Sequence, residues 1–119
     1  MNDFTTLNPD PTQWSESQIL DVLYLWTKSN NCVTKEFLRV CLENAKLFDR
    51  KQTDYGPRNI SGFGTFGVIV RMNDKFERLK TLMSKKRRKP QNESVMDSLR
   101  DISNYANIAI LLETNHWPD

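Results

Sequence analysis

The sequence predicts an all-α fold, a single-domain four-helix bundle-like arrangement with a long Gly-rich loop between the second and third helices. Three observations lead there. Apolar residues recur at three- and four-residue spacing in four separate stretches, the pattern of a helix with one buried face. No alternating apolar run of strand length occurs, and the one β-branched cluster, Val68-Ile69-Val70, lies inside a helical period. The remaining connections are short, which favours antiparallel neighbours and sets the last helix against the second and third. A chain of 119 residues has room for one core.

Residues 1–14 hold Pro9 and Pro11 and no apolar period, so they read as an extended arm before a helical domain at 15–113 and a C-terminal tail at 114–119. Ser15 with Gln18 forms a Ser-x-x-Gln capping box, and Ile19, Val22, Leu23 and Trp26 make the stripe of the first helix. Thr34 is the expected cap of the second helix. Phe37, Cys41, Ala45 and Phe48 share one of its faces, Leu38 and Leu42 widen that face, and Glu43 is on the outward side.

All four glycines fall in the segment 49–67. Gly56-Pro57 ends the second helix, because glycine takes the left-handed cap conformation and proline cannot continue the hydrogen-bond ladder. Gly62, Gly64 and Gly67 match G-x-G-x-x-G and would bring backbone N–H groups to a phosphate at the next helix entrance. No strand precedes them, so the dinucleotide-fold reading fails and a flexible connection is the alternative.

The third helix, 66–83, places Phe66, Val70, Phe76, Leu79 and Met83 inward and Arg71, Asp74, Lys75 and Arg78 on the other face. Those charges serve either as helix-stabilising pairs or as cations for phosphate oxygens, arginine by its fork and lysine as a point charge. The block Lys85–Lys89 is a solvated loop, with nucleic-acid contact as its alternative. No aromatic is interleaved there to stack on bases, which counts against that alternative.

The last helix, 92–112, carries the most telling pattern. Glu93, Asp97, Asp101 and Asn104 occupy a narrow arc, while Leu99, Ile102, Ala106, Ala109 and Ile110 take much of the opposite side. Carboxylates on successive turns with no cation among them point to a divalent metal.

Bulk properties exclude several classes. The amino terminus has no basic n-region or apolar h-region, so it reads as no signal peptide, and no apolar run approaches the ~20 residues that span a bilayer. Cys32 and Cys41 lack the spacing and histidine neighbours of a zinc site, and Cys41 is expected in the core of a protein from a reducing, cytoplasmic setting. His116, the sole histidine, is in the tail and is expected to do no chemistry.

Three strings in order, K-x-x-D-Y-G at 51–56, R-M-N-D-K-F-E-R-L at 71–79 and E-S-V-M-D-S-L-R-D-I-S-N-Y-A at 93–106, resemble the nucleotide modification associated domain 1 family of bacteria and phages. The resemblance covers about residues 35–112 and implies a helical domain linked to nucleotide metabolism and base modification. The acidic last helix is also similar to that of the MazG-type all-α nucleoside triphosphate pyrophosphohydrolases, which hold magnesium with Glu-x-x-Glu and Glu-x-x-Asp. Helix two here has no Glu-x-x-Glu, and Asp97 and Asp101 are four apart rather than three.

Two functions follow. In the first, the protein binds a (deoxy)nucleoside triphosphate and hydrolyses it to monophosphate and pyrophosphate. Magnesium would sit on Glu93, Asp97 and Asp101, with Asp54 or Glu43 completing the shell or orienting water. Lys51, Arg71, Lys75, Arg78 and Asn104 would hold the substrate, and Tyr55 or Tyr105 would stack on the base. In the second, it is a non-catalytic module for a nucleotide or a protein partner, and the acidic face pairs with the basic one, Asp101 with Arg71 or Arg78. The apolar surface of the first and last helices also leads us to expect a homo-oligomer.

Overall fold

A computed structural model of the chain describes residues 6–84 and 91–118, apart from the side chains of residues 55, 60, 61 and 91–94. All regular structure among the described residues is helical. A 3-10 turn at Pro11–Gln13 precedes α1 (Glu16–Thr27), α2 (Val33–Tyr55), α3 (Arg58–Ser61), α4 (Gly64–Ser84) and α5 (Gln91–Glu113). The chain forms two compact units, Met1–Glu43 and Asn44–Asp119. No helix among the described residues is long and apolar enough to cross a membrane.

In the first unit the Ser15 capping box is present. The Ser15 N–H donates to Gln18 Oε1 at 2.8 Å and the Gln18 N–H to Ser15 Oγ at 3.1 Å, an arrangement typically contributing ~1 kcal/mol. The arm before it is more folded than its prolines suggest: Asp10 caps the 3-10 turn, and the Trp14 indole N–H reaches back to the Asn8 carbonyl at 2.7 Å. At the start of α2 it is Asn31, rather than Thr34, that holds the free backbone. Asn31 Oδ1 accepts from the Val33 N–H at 3.0 Å, while the Thr34 hydroxyl pairs with Ser29 Oγ at 3.0 Å. Leu20 is fully buried, Trp26 is 77% exposed, and Lys35 pairs with Asp21 between α1 and α2.

The second unit is built on α4 packed along α5. Thr65 Oγ1 at the start of α4 donates to Glu113 Oε2 at the end of α5, at 2.6 Å. Lys75 meets Asp101 at mid-length, so the two helices run antiparallel. Val68 and Ile108 are the buried apolar centre, with Phe48, Met72, Tyr105, Leu112 and Trp117 packed around them. The later part of α2 joins through Asn104 Nδ2, which donates to the Asn44 carbonyl at 3.1 Å.

Several expected helix phases are corrected. Phe66, Val70, Phe76 and Met83 of α4 are exposed, as are Leu99 and Ile110 of α5 and Phe37 and Cys41 of α2. The inward line of α5 is instead Ser98, Asp101 and Ile108. Most of the expected Gly-rich loop is helical as well. α2 runs to Tyr55, Gly56 closes it at φ 77 with its N–H on the Gln52 carbonyl at 2.8 Å, and α3 adds a further turn.

Candidate functional site

The arc of α5 that carries Asp101, Asn104, Tyr105 and Ile108 obeys the i, i+3, i+4, i+7 rule for one helix face, and it turns toward the second unit's interior. The later part of α2 presents Phe48, Lys51 and Gln52 by the same spacing, and α4 presents Arg71 and Lys75 one turn apart. Together with Asn59 these side chains line one cleft of about 230 Å³.

Asp101 lies at its centre and is only 9% exposed. Lys51 Nζ donates to its Oδ1 at 2.7 Å, and Lys75 Nζ is 2.9 Å from its Oδ2. Burial by itself would raise the Asp101 carboxyl. The hydrogen bonds from Lys51 and Lys75, with the charge of both ammonium groups, outweigh it and hold the carboxyl below its ordinary value of 3.8. Arg71 is braced differently: its Nη2 donates to the Asn59 carbonyl at 3.1 Å, which ties α4 to α3. Three cations against one carboxylate leave the cleft with a net positive charge.

Of the expected site residues, Lys51, Arg71, Lys75, Asp101, Asn104 and Tyr105 come together here. Asp54, Asp97 and Arg78 do not: all three are exposed and none lines the cleft. Each stands about one turn along its helix from a cleft residue, Asp54 from Lys51, Arg78 from Lys75 and Asp97 from Asp101. The side chains of Glu93 and Tyr55, and the block Lys85–Lys89, lie outside the described residues. Glu43 is in the first unit. Asp101 pairs with Lys51 and Lys75 rather than with Arg71 or Arg78.

This donor set does not fit a magnesium ion. Magnesium needs carboxylate oxygens free to coordinate, whereas both Asp101 oxygens are engaged by ammonium groups. Among the described residues no three Asp, Glu, His or Cys side chains stand together where they would hold an ion. The glycine cradle is also largely closed. The Gly62 N–H donates to the Arg58 carbonyl and the Gly67 N–H to the Phe63 carbonyl, each at 3.2 Å. Gly67 has a packing reason to be glycine, since a Cβ there would collide with Phe63 Cβ.

Sequence reasoning missed Gln52 and Asn59, and placed Phe48 only in the core. Gln52 had a signal, being one turn from Phe48 and next to Lys51; Asn59 had none. It also missed the return of the tail. Asn115 adopts the left-handed conformation at φ 60, and the His116 N–H donates to the Leu111 carbonyl at 2.8 Å, which ends α5 in a Schellman motif. The chain then turns back. Trp117 meets Phe48 edge-on with centroids 5.9 Å apart, and its indole N–H donates to the Pro57 carbonyl at 3.1 Å.

No protein-family model, curated protein or solved structure matches this chain.

Proposed function

We propose that this protein is a binding module for a nucleoside polyphosphate, with the phosphates held in the cleft by Lys51, Arg71 and Lys75. The observation that carries this reading is the excess of cations over carboxylate among the cleft's walls. Asp101 then serves as a built-in counter-ion. It keeps two ammonium groups apart and oriented before a ligand arrives, and phosphate oxygens replace part of its contacts when one does. Arg71, with one donor on the Asn59 carbonyl, retains further N–H groups for a bidentate phosphate contact. The resemblance of the Lys51–Gly56 and Arg71–Leu79 segments to a family linked to nucleotide metabolism leads the same way.

Hydrolysis is not part of this reading, which rests on the cations of the cleft. The test is calorimetric titration with tripolyphosphate and with the four deoxynucleoside triphosphates, with and without magnesium, and product analysis alongside. Binding without pyrophosphate release is expected. Charge-assisted contacts are worth ~1.5–3 kcal/mol each, so Arg71→Met is expected to weaken binding about tenfold or more. Absence of any anion binding would remove the proposal.

We further propose self-association, for which the support is the exposed apolar surface along α4 and just before it, where Phe63, Phe66 and Met83 are 72%, 76% and 69% exposed. Light scattering is expected to give twice the 14.0 kDa chain mass. A mass that stays at one chain at high concentration would refute it.

A further inference from the structure

Phe48 and Gln52, one turn apart on α2, are walls of two clefts at once. On one side is the cationic cleft. On the other is an apolar cleft of about 320 Å³, closed by Pro57, Leu111 and the returning Trp117. Ligand clefts usually run from ~300 to 1,000 Å³; the cationic cleft, at about 230 Å³, falls below that range and the apolar one, at about 320 Å³, sits at its lower edge, so a whole nucleotide would draw on both. Two clefts that meet along a common wall match a ligand with one anionic end and one flat apolar end.

Gln52 supplies a second, independent observation. Its Oε1 is buried and has no hydrogen-bond partner. A buried carbonyl oxygen left unpaired typically costs ~1–3 kcal/mol, and a ligand N–H placed against it would recover that cost. Nucleobases carry such donors on a flat, mostly apolar ring.

We infer that the apolar cleft beside Trp117 is the base subsite of the polyphosphate site, and that Gln52 Oε1 accepts a hydrogen bond from a ring or amino N–H of the base. This rests on the phosphate reading above. The base enters between Phe48, Leu111 and Trp117, and its phosphates cross the Phe48–Gln52 wall to Lys51, Arg71 and Lys75. Specificity then lies in the direction of one amide, while most of the charge recognition lies in the neighbouring cleft.

The experiment compares tripolyphosphate, which has no base, with the four deoxynucleoside triphosphates. It uses the full chain carrying Trp14→Phe and Trp26→Phe, so that Trp117 is the only tryptophan. At least one nucleotide is expected to bind tenfold or more tightly than tripolyphosphate and to quench Trp117 emission, which tripolyphosphate leaves unchanged. Gln52→Leu is expected to shrink that nucleotide-over-tripolyphosphate ratio at least fivefold. Gln52→Glu also removes the amide but keeps an acceptor, and is expected to retain more of the ratio than Gln52→Leu once both are compared at high salt. Equal binding of nucleotide and tripolyphosphate, with no quenching, would overturn the base subsite and leave the phosphate site standing. Failure of both to bind would overturn the two together.

Discussion

Lys75 Nζ of α4 lies 2.9 Å from Asp101 Oδ2 of α5, and this pair crosses the antiparallel helix contact at the floor of the cationic cleft. Lys51 completes it from α2 on the other carboxylate oxygen, at 2.7 Å. A buried carboxylate between two ammonium groups has a defined consequence for each of the three when one is changed.

Asp101→Asn removes the negative charge and leaves Lys51 and Lys75 without it. Tripolyphosphate affinity is expected to rise several-fold, because the anion no longer competes with a resident carboxylate. Stability is expected to fall by ~1–3 kcal/mol in urea unfolding, since two ammonium groups lose their ionic partner. Magnesium-dependent turnover that is present in the native protein and vanishes in this variant would instead make Asp101 a metal ligand.

The same pair fixes a pH dependence. The Asp101 carboxyl lies below its ordinary value of 3.8 in the folded protein, so the unfolded chain takes up the proton first as pH falls. Its stabilising contribution is therefore complete above the unfolded value and is lost as pH drops through the folded one. The stability difference between the native protein and Asp101→Asn is expected to hold constant from about pH 7 to 5 and to narrow below about pH 4. A gap that widened toward acid would contradict the pairing.

Lys75→Met and Lys51→Met separate the two cations. The Lys75 side chain is 32% exposed and that of Lys51 45%, so Lys75 is less screened by water. Lys75→Met is expected to destabilise more, by ~1–2 kcal/mol, with Lys51→Met below ~1 kcal/mol. Both are expected to weaken tripolyphosphate binding. Equal stability losses in thermal melts would show that exposure does not rank them.

Trp117→Ala tests the returning tail. It removes the edge contact with Phe48 and the indole hydrogen bond to Pro57. Because Trp117 is only partly buried, the loss is expected at ~2–3 kcal/mol, below the range for full burial. Proteolysis should then cut the C-terminal residues faster. Unchanged stability would mean that the tail adds nothing to the fold.

Gly67→Ala distinguishes packing from phosphate contact. Its new Cβ would meet Phe63 Cβ, an atom fixed to the backbone that cannot rotate away. A destabilisation of ~1–3 kcal/mol is expected in chemical unfolding. Tripolyphosphate affinity, extrapolated to the fully folded population, should change little, because the Gly67 N–H is already held by the Phe63 carbonyl. A selective loss of affinity in a stable variant would restore the glycine cradle.

Local features are legible in the chain itself. The Ser15–Gln18 capping box, the end of α2 at Gly56 and the start of α5 within one or two residues all follow from interactions between near neighbours. So does the sharing of one face by Asp101, Asn104 and Tyr105, which needs only the helical repeat. The sequence also marks Lys51, Arg71, Lys75 and Arg78 as cations, of which the first three line one cleft and Arg78 does not.

Tertiary structure alone decided which way those faces turn. The most apolar arc of a helix is normally its buried one, and by that rule Phe66, Val70, Leu99 and Ile110 belong inside. Here Asp101, paired on both oxygens, and Asn104, bonded to a backbone carbonyl, are satisfied inside the second unit, so burying that arc of α5 leaves few polar groups unpaired. The partners that satisfy them come from α2 and α4, 50 to 60 residues away for Lys51 and Asn44. Near-neighbour patterns determine that an acidic stripe exists; only the packed helices decide that Lys51 and Lys75 meet Asp101.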